Sequence, residues 1–165
     1  MTTTTDYYNF LNLLTENETF SHELTAQLTA CDADPKAFFD QNHEVWFDRR
    51  GLGRDSNVLT YYFMLGMLEH HNYAVELDWK ADVDSLNEAI HLLSNGKLAD
   101  LVPDEEEDDA DSMYDLLDAA EEYLSAQGYC FLMLPMDGDS YPVALIPESK
   151  QNTLDDMMDT LFKDV

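Results

Sequence analysis

Apolar residues recur at intervals of three and four through the first half of the chain, and the interval shortens to two soon after. Tyr7, Phe10, Leu11 and Leu14 form the stripe of an amphipathic helix, with Thr5 or Asp6 as its cap. Phe20, Leu24, Leu28 and Cys31 share one face of a second helix, with Thr19 ahead of them as an N-cap. Asp34-Pro35 places a capping side chain before a proline at the first helical position, where the missing N–H costs nothing. Phe38, Phe39, Val45 and Trp46 carry that third stripe onward. Arg49 and Arg50 then meet the negative helix end, and Gly51 supplies a left-handed stop. Asp55 or Ser56 restarts a helix. Val58, Tyr61, Tyr62, Leu65 and Leu68 line one side of it while Phe63, Met64 and Met67 fill the others, so it is predicted to be the central buried helix.

From Tyr73 to Trp79 apolar and acidic residues alternate, which predicts a half-exposed strand. Asp82 caps a helix carrying Val83, Leu86, Ile90 and Leu93, and Asn95-Gly96 ends it. Leu98 to Pro103 has no clear period. Met113, Leu116, Leu117, Ala120 and Leu124 form the next stripe, closed by Gly128. Tyr129 to Leu134 is a continuous apolar run of strand length, Asp137 to Ser140 a turn, and Tyr141 to Ile146 the returning strand of an antiparallel hairpin. Leu154 to Phe162 predicts a closing helix with Met157, Met158 and Leu161 inward. The whole reads as one α+β domain over residues 1–165: a helical N-terminal layer, about 6–72, packed on a small, mostly antiparallel sheet of at least three strands within 73–165.

Three segments of the second half carry a family resemblance: Leu77-Asp78-Trp79-Lys80-Ala81-Asp82, Leu124-Ser125-Ala126-Gln127-Gly128-Tyr129, and Met136-Asp137-Gly138-Asp139-Ser140-Tyr141-Pro142. Over roughly residues 70 to 150 the chain resembles the bacterial DUF6630 family, a domain of unknown function. The resemblance implies a bacterial single-domain α+β protein and transfers no catalytic residue.

Charge changes the picture most. The chain has 35 acidic against 8 basic residues, a formal net charge of -27, and no Lys or Arg between Lys97 and Lys150. A field of that sign selects cationic partners. Disorder does not follow from it, because 45% of the residues are apolar and 12% aromatic, grouped in periodic clusters. The start lacks a basic region followed by an apolar one, so no secretory signal is expected. Val58 to Leu68, the longest apolar stretch, is broken by Thr60 and Gly66 and is shorter than the roughly 18 residues of a membrane span. Cys31 and Cys130 lack ligand spacing and sit in apolar patterns, as reduced core thiols would. These features predict a soluble, cytoplasmic protein.

No motif specifies a reaction. GxSxG is absent, and Gly51-Leu52-Gly53 lacks both the remaining glycine and the strand context of a dinucleotide loop. Asp137, Asp139 and Glu148 fit the first, third and twelfth positions of a calcium loop, but Tyr141 and Pro142 break that frame. His70 and His71 are adjacent, and His22, His43 and His91 are scattered, so no metal or other cofactor is expected. Asp78 with Asp137 or Asp139 is the best-placed carboxylate pair, at strand ends and turns, although local turn bonding accounts for those residues better. Eight cations in this field cannot build a groove for phosphates, which disfavours direct nucleic-acid binding.

The reverse possibility fits the charge: an acidic surface that occupies the basic groove of a nuclease, toxin or DNA-binding protein. Asp111, Asp115, Asp118 and Glu122 fall three or four residues apart on one helix face, preceded by Asp104, Glu105, Glu106, Glu107, Asp108 and Asp109. Those ten residues are the candidate partner-binding site of a non-enzymatic inhibitor, immunity or nucleic-acid-mimic protein. Two other readings stand beside it. One is an enzyme or binding domain with an acidic cleft for a cationic ligand; the other is acidity that only solvates the surface.

Overall fold

A computed structural model describes residues 3–101 and 113–163, with only the backbone of Met113 and Tyr114. The elements run α1 (Thr4–Thr15), α2 (Glu18–Ala33), α3 (Pro35–Trp46), α4 (Leu59–His70), β1 (Val75–Asp78), α5 (Val83–Leu93), α6 (Met113–Ala126), β2 (Tyr129–Met133), β3 (Ser140–Pro147) and α7 (Gln151–Leu161). The fold class is α+β, as the hydrophobic pattern predicts. The elements gather into two compact units, residues 1–70 with 152–165, and residues 71–151.

In the helical unit, side-chain caps fix where helices start. Thr3 caps α1, one turn ahead of the apolar stripe: its hydroxyl accepts the Asp6 N–H at 3.3 Å, while the Asp6 carboxylate accepts the Thr3 N–H at 2.9 Å. Asp6 therefore completes a capping box instead of being the cap itself. Asn17, not Thr19, caps α2 by accepting the Phe20 N–H at 3.0 Å. Asp34 caps α3 as expected, with Pro35 behind it. Past α3 a single 3-10 turn, Asp48–Arg50, ends at Gly51 with φ +66°. The restart comes later than the sequence suggests, because the Asp55 carboxylate is turned to Lys36 at 2.6 Å instead of capping.

α4 is the central helix of this unit, with Leu59, Tyr61 to Leu65 and Leu68 all buried. Gly66 on the same helix makes room for Trp46, since a Cβ there would lie 2.9 Å from the indole. The Trp46 ring in turn stands edge-on to Phe63 at 5.6 Å. Asp32 joins three helices, accepting the Tyr7 hydroxyl at 2.7 Å and the Thr60 hydroxyl at 2.6 Å. Burial first, and then this carboxylate, push the Tyr7 hydroxyl well above its ordinary range. The end of α7 completes the core: Phe162 lies 5.0 Å from the Tyr61 ring and 6.1 Å from Phe10. The closing helix thus belongs with α1 to α4, although it follows the sheet in sequence.

The other unit is built on a three-stranded antiparallel sheet of order β1-β3-β2. The hairpin β2–β3 is the one read from sequence, with Phe131 opposite Leu145. Pro142 stands in the central strand opposite Leu134, one residue past the end of β2, so its missing N–H forfeits a single bond at the end of that ladder. Its carbonyl still accepts the Leu134 N–H at 2.9 Å. Leu77, Phe131 and Val143 form one core with Leu86, Ala89 and Ile90 of α5 and Leu116, Ala120 and Leu124 of α6. On the opposite face Cys130, Leu132, Ala144 and Ile146 are buried as well, which explains why β2 reads as a continuous apolar run. Leu98 and Leu101, in the stretch without a period, join the core, and Asn87 holds the Leu101 backbone by accepting its N–H at 2.7 Å.

Candidate partner-binding face

α6 presents two chemically opposite sides. Leu116, Ala120 and Leu124 are buried in the core, whereas Asp115, Asp118 and Glu122 are exposed, together with Glu121 on their flank. The three acids of the stripe rise by about 4.5 and 6 Å along the axis, a spacing of the same scale as successive phosphates. Of the candidate residues, the structure brings these three together on one face. Asp104, Glu105, Glu106, Glu107, Asp108, Asp109 and Asp111 lie outside the described residues. Glu121, three residues and about 60° of helical turn from Asp118 and about 100° from Glu122, is exposed as well and widens the acidic side.

Several contacts hold the helix that carries these acids. The Tyr123 hydroxyl donates to the Ala99 carbonyl at 2.8 Å, and the Ser125 hydroxyl donates to the Glu148 carboxylate at 3.2 Å. The helix closes through the Gly128 N–H on the Ser125 carbonyl, with Gly128 at φ +80°. Asp115 stands in the first turn, where the amide dipoles favour negative charge. The face is therefore carried by an anchored helix.

A family model described as a domain of unknown function (DUF6630) matches residues 6–164. The chain belongs to the DUF6630 family. The match takes in α1 to α4 as well as the region of residues 70 to 150, so the N-terminal helices are part of the family unit and not an addition to it. No curated protein and no solved structure matches this DUF6630 chain.

The other residues weighed in the sequence take structural parts. Asp78 accepts the backbone N–H of Lys80 at 2.8 Å, a local turn bond, and the Lys80 ammonium sits 4.7 Å from the Trp79 ring centroid instead of on Asp78. The Trp79 N–H donates to the Asp139 carbonyl at 2.9 Å, which brings the strand end and the hairpin turn together through their backbones. Asp78 lines a groove beside β1, but neither Asp137 nor Asp139 is among the residues lining it. His43 and His91 pair with Asp48 and Asp100 at 3.2 and 2.8 Å, and His22 stacks on Tyr8. Among the described residues no three His, Cys, Asp or Glu side chains gather as metal ligands would. Cys31 and Cys130 are buried and form no disulfide, and burial pushes the Cys31 thiol up. No helix among the described residues is long and apolar enough to cross a membrane.

Proposed function

We propose that this protein is a non-enzymatic interaction factor that binds a basic protein surface through the acidic side of α6. An inhibitor, an immunity protein or a nucleic-acid mimic, acting in a bacterial cytoplasm, is the kind of factor this describes. The observation that carries the reading is the exposure of Asp115, Asp118 and Glu122 on one side of a helix whose other side is buried. Anchoring lowers the entropic cost of presenting these charges to a partner. The interval around them holds no Lys or Arg from residue 98 to residue 149, so their field is not offset by cations of the same segment. By sequence, Asp104 to Asp109 and Asp111 continue that charge toward the N-terminus of the helix. A basic groove on a nuclease, toxin or DNA-binding protein, which normally receives phosphates, has the complementary sign and spacing.

The test is capture from native lysate at low salt, followed by a salt gradient, with wild-type protein and an Asp115→Asn/Asp118→Asn/Glu122→Gln variant side by side. Wild type is expected to retain basic proteins that elute at moderate salt, and the variant to lose most of them. Equal retention by both would remove α6 from the account, and no retention by either would leave the acidity as surface solvation.

A further inference from the structure

Beside β1 lies a second surface whose chemistry differs from that of α6. β1 is one of the two edge strands of the sheet, and with α5 it borders a groove of about 410 Å³. Val75, Ala89 and Leu92 give this groove apolar contact, while Glu76, Asp78 and Glu88 give it negative charge. Leu92 departs from the pattern of its helix. α5 buries Leu86, Ala89 and Ile90, yet Leu92 is 44% exposed, one of four large apolar side chains exposed among the described residues. Trp79, a second of the four at 51%, belongs to the turn between Asp78 and Lys80, both of which line the groove. The groove's own cation, Lys80, is drawn over the Trp79 ring. On the far side of Leu92 and Glu88, Asp84 and Asp100 border a neighbouring depression of about 730 Å³, where His91 is paired with Asp100.

We infer that the groove between β1 and α5 docks a short segment of a partner protein in which apolar residues alternate with Lys or Arg. The apolar residues of such a segment would cover Leu92 and Val75, and its cations would reach Glu76, Asp78 and Glu88. Charge complementarity selects this occupant. A second copy of the chain, at a net charge of -27, would meet the groove with the same sign. A purely cationic ligand would leave Leu92 exposed, and a purely apolar one would cover carboxylates without compensating them. This surface shares no residue with the α6 side, so either can fail without the other.

The experiment uses the whole protein and a fluorescein-labelled heptapeptide of alternating Lys and Leu, with a control peptide in which Ser replaces every Leu. Binding is read by fluorescence anisotropy at physiological salt and located by amide chemical-shift changes. The alternating peptide is expected to bind, with shifts concentrated at residues 75–78 and 88–92, and the Ser peptide to bind about tenfold more weakly. Leu92→Asn and Glu88→Gln are each expected to weaken the alternating peptide about fivefold, while Asp115→Asn/Asp118→Asn/Glu122→Gln changes it less than about twofold. Both groove positions are exposed, and thermal melts of the variants establish that they fold. Equal affinity for the two peptides, shifts centred on α6, or no binding by the alternating peptide would overturn the inference.

Discussion

In the helical unit, three carboxylates face Arg or Lys. Arg50 places Nη2 2.9 and 3.0 Å from the two Glu69 oxygens, with the two side chains only 10% and 19% exposed, and stands over the Tyr62 ring at 5.4 Å. Arg54 grips Asp40 with two bonds of 2.7 Å, and Lys36 reaches Asp55 at 2.6 Å. These partners hold Asp40 and Asp55 below the usual carboxylate range. All three arginines of the chain fall within residues 49–54, so the cations are concentrated where they tie α3, α4 and the connection between them. α6 has neither Lys nor Arg in its own length, and its anchoring comes from buried Leu116, Ala120 and Leu124 instead. One set of acids ties helices together through cations, and the other rides on a helix held by apolar burial. That difference makes α6 a candidate for binding, and it can be probed by asking which charges stability notices.

The largest expected effect is at the buried pair. Arg50→Met should cost about 3 kcal/mol in urea unfolding, because the Glu69 carboxylate loses a partner that holds both its oxygens in a mostly buried place, and adding Glu69→Leu should restore much of the loss. A loss under about 0.5 kcal/mol for the single variant would show that this pair behaves like a surface one. Gly66→Ala comes next. The added methyl meets the Trp46 ring, a penalty of about 2 kcal/mol against a gain of about 1 in helix propensity, so the net expectation is a loss of about 1 kcal/mol. In a Trp46→Leu background the same change should stabilise, which a double-mutant cycle would reveal. Asn17→Ala removes the α2 cap and should cost about 1 kcal/mol, measured the same way.

Acid titration sharpens the contrast. A carboxylate whose folded pKa is depressed adds stability above its unfolded value, about 4, and that stability is lost as pH falls through the folded value. Asp40→Asn/Asp55→Asn should therefore lower the urea midpoint near neutrality and leave it equal to wild type at pH about 2. A difference that persists unchanged in acid would mean that the substitutions act through packing. The smallest effect is expected from Asp115→Asn/Asp118→Asn/Glu122→Gln, whose stability should stay within about 0.5 kcal/mol of wild type.

Much of this architecture was legible in the sequence because it rests on local signals. Asp34-Pro35, Asp82 and Gly51 mark their helix boundaries by chemistry that acts within one turn, and the periods of Leu116, Ala120 and Leu124 tell which side of α6 is buried. The caps Thr3 and Asn17 were displaced because a helix can begin a turn before its apolar stripe, where periodicity is silent. Asp55 failed as a cap through a contact with Lys36, nineteen positions away. The placement of β1 beside β3, and of Phe162 against Tyr61 and Phe10, depends on contacts far apart in the chain that no window of residues records. The acidic side of α6 was readable from spacing; the groove at Leu92 was not, since spacing puts that leucine off the buried stripe but does not say that β1 lies beside it.

Whether α6 binds is decided by the association rate of a basic protein captured by wild type, followed across ionic strength for wild type and for the α6 triple variant. Wild type should associate fast, at a rate that falls steeply with salt, and Asp115→Asn/Asp118→Asn/Glu122→Gln more slowly, with a shallower salt dependence at unchanged stability. The same rate and the same salt slope for both proteins would contradict binding through α6.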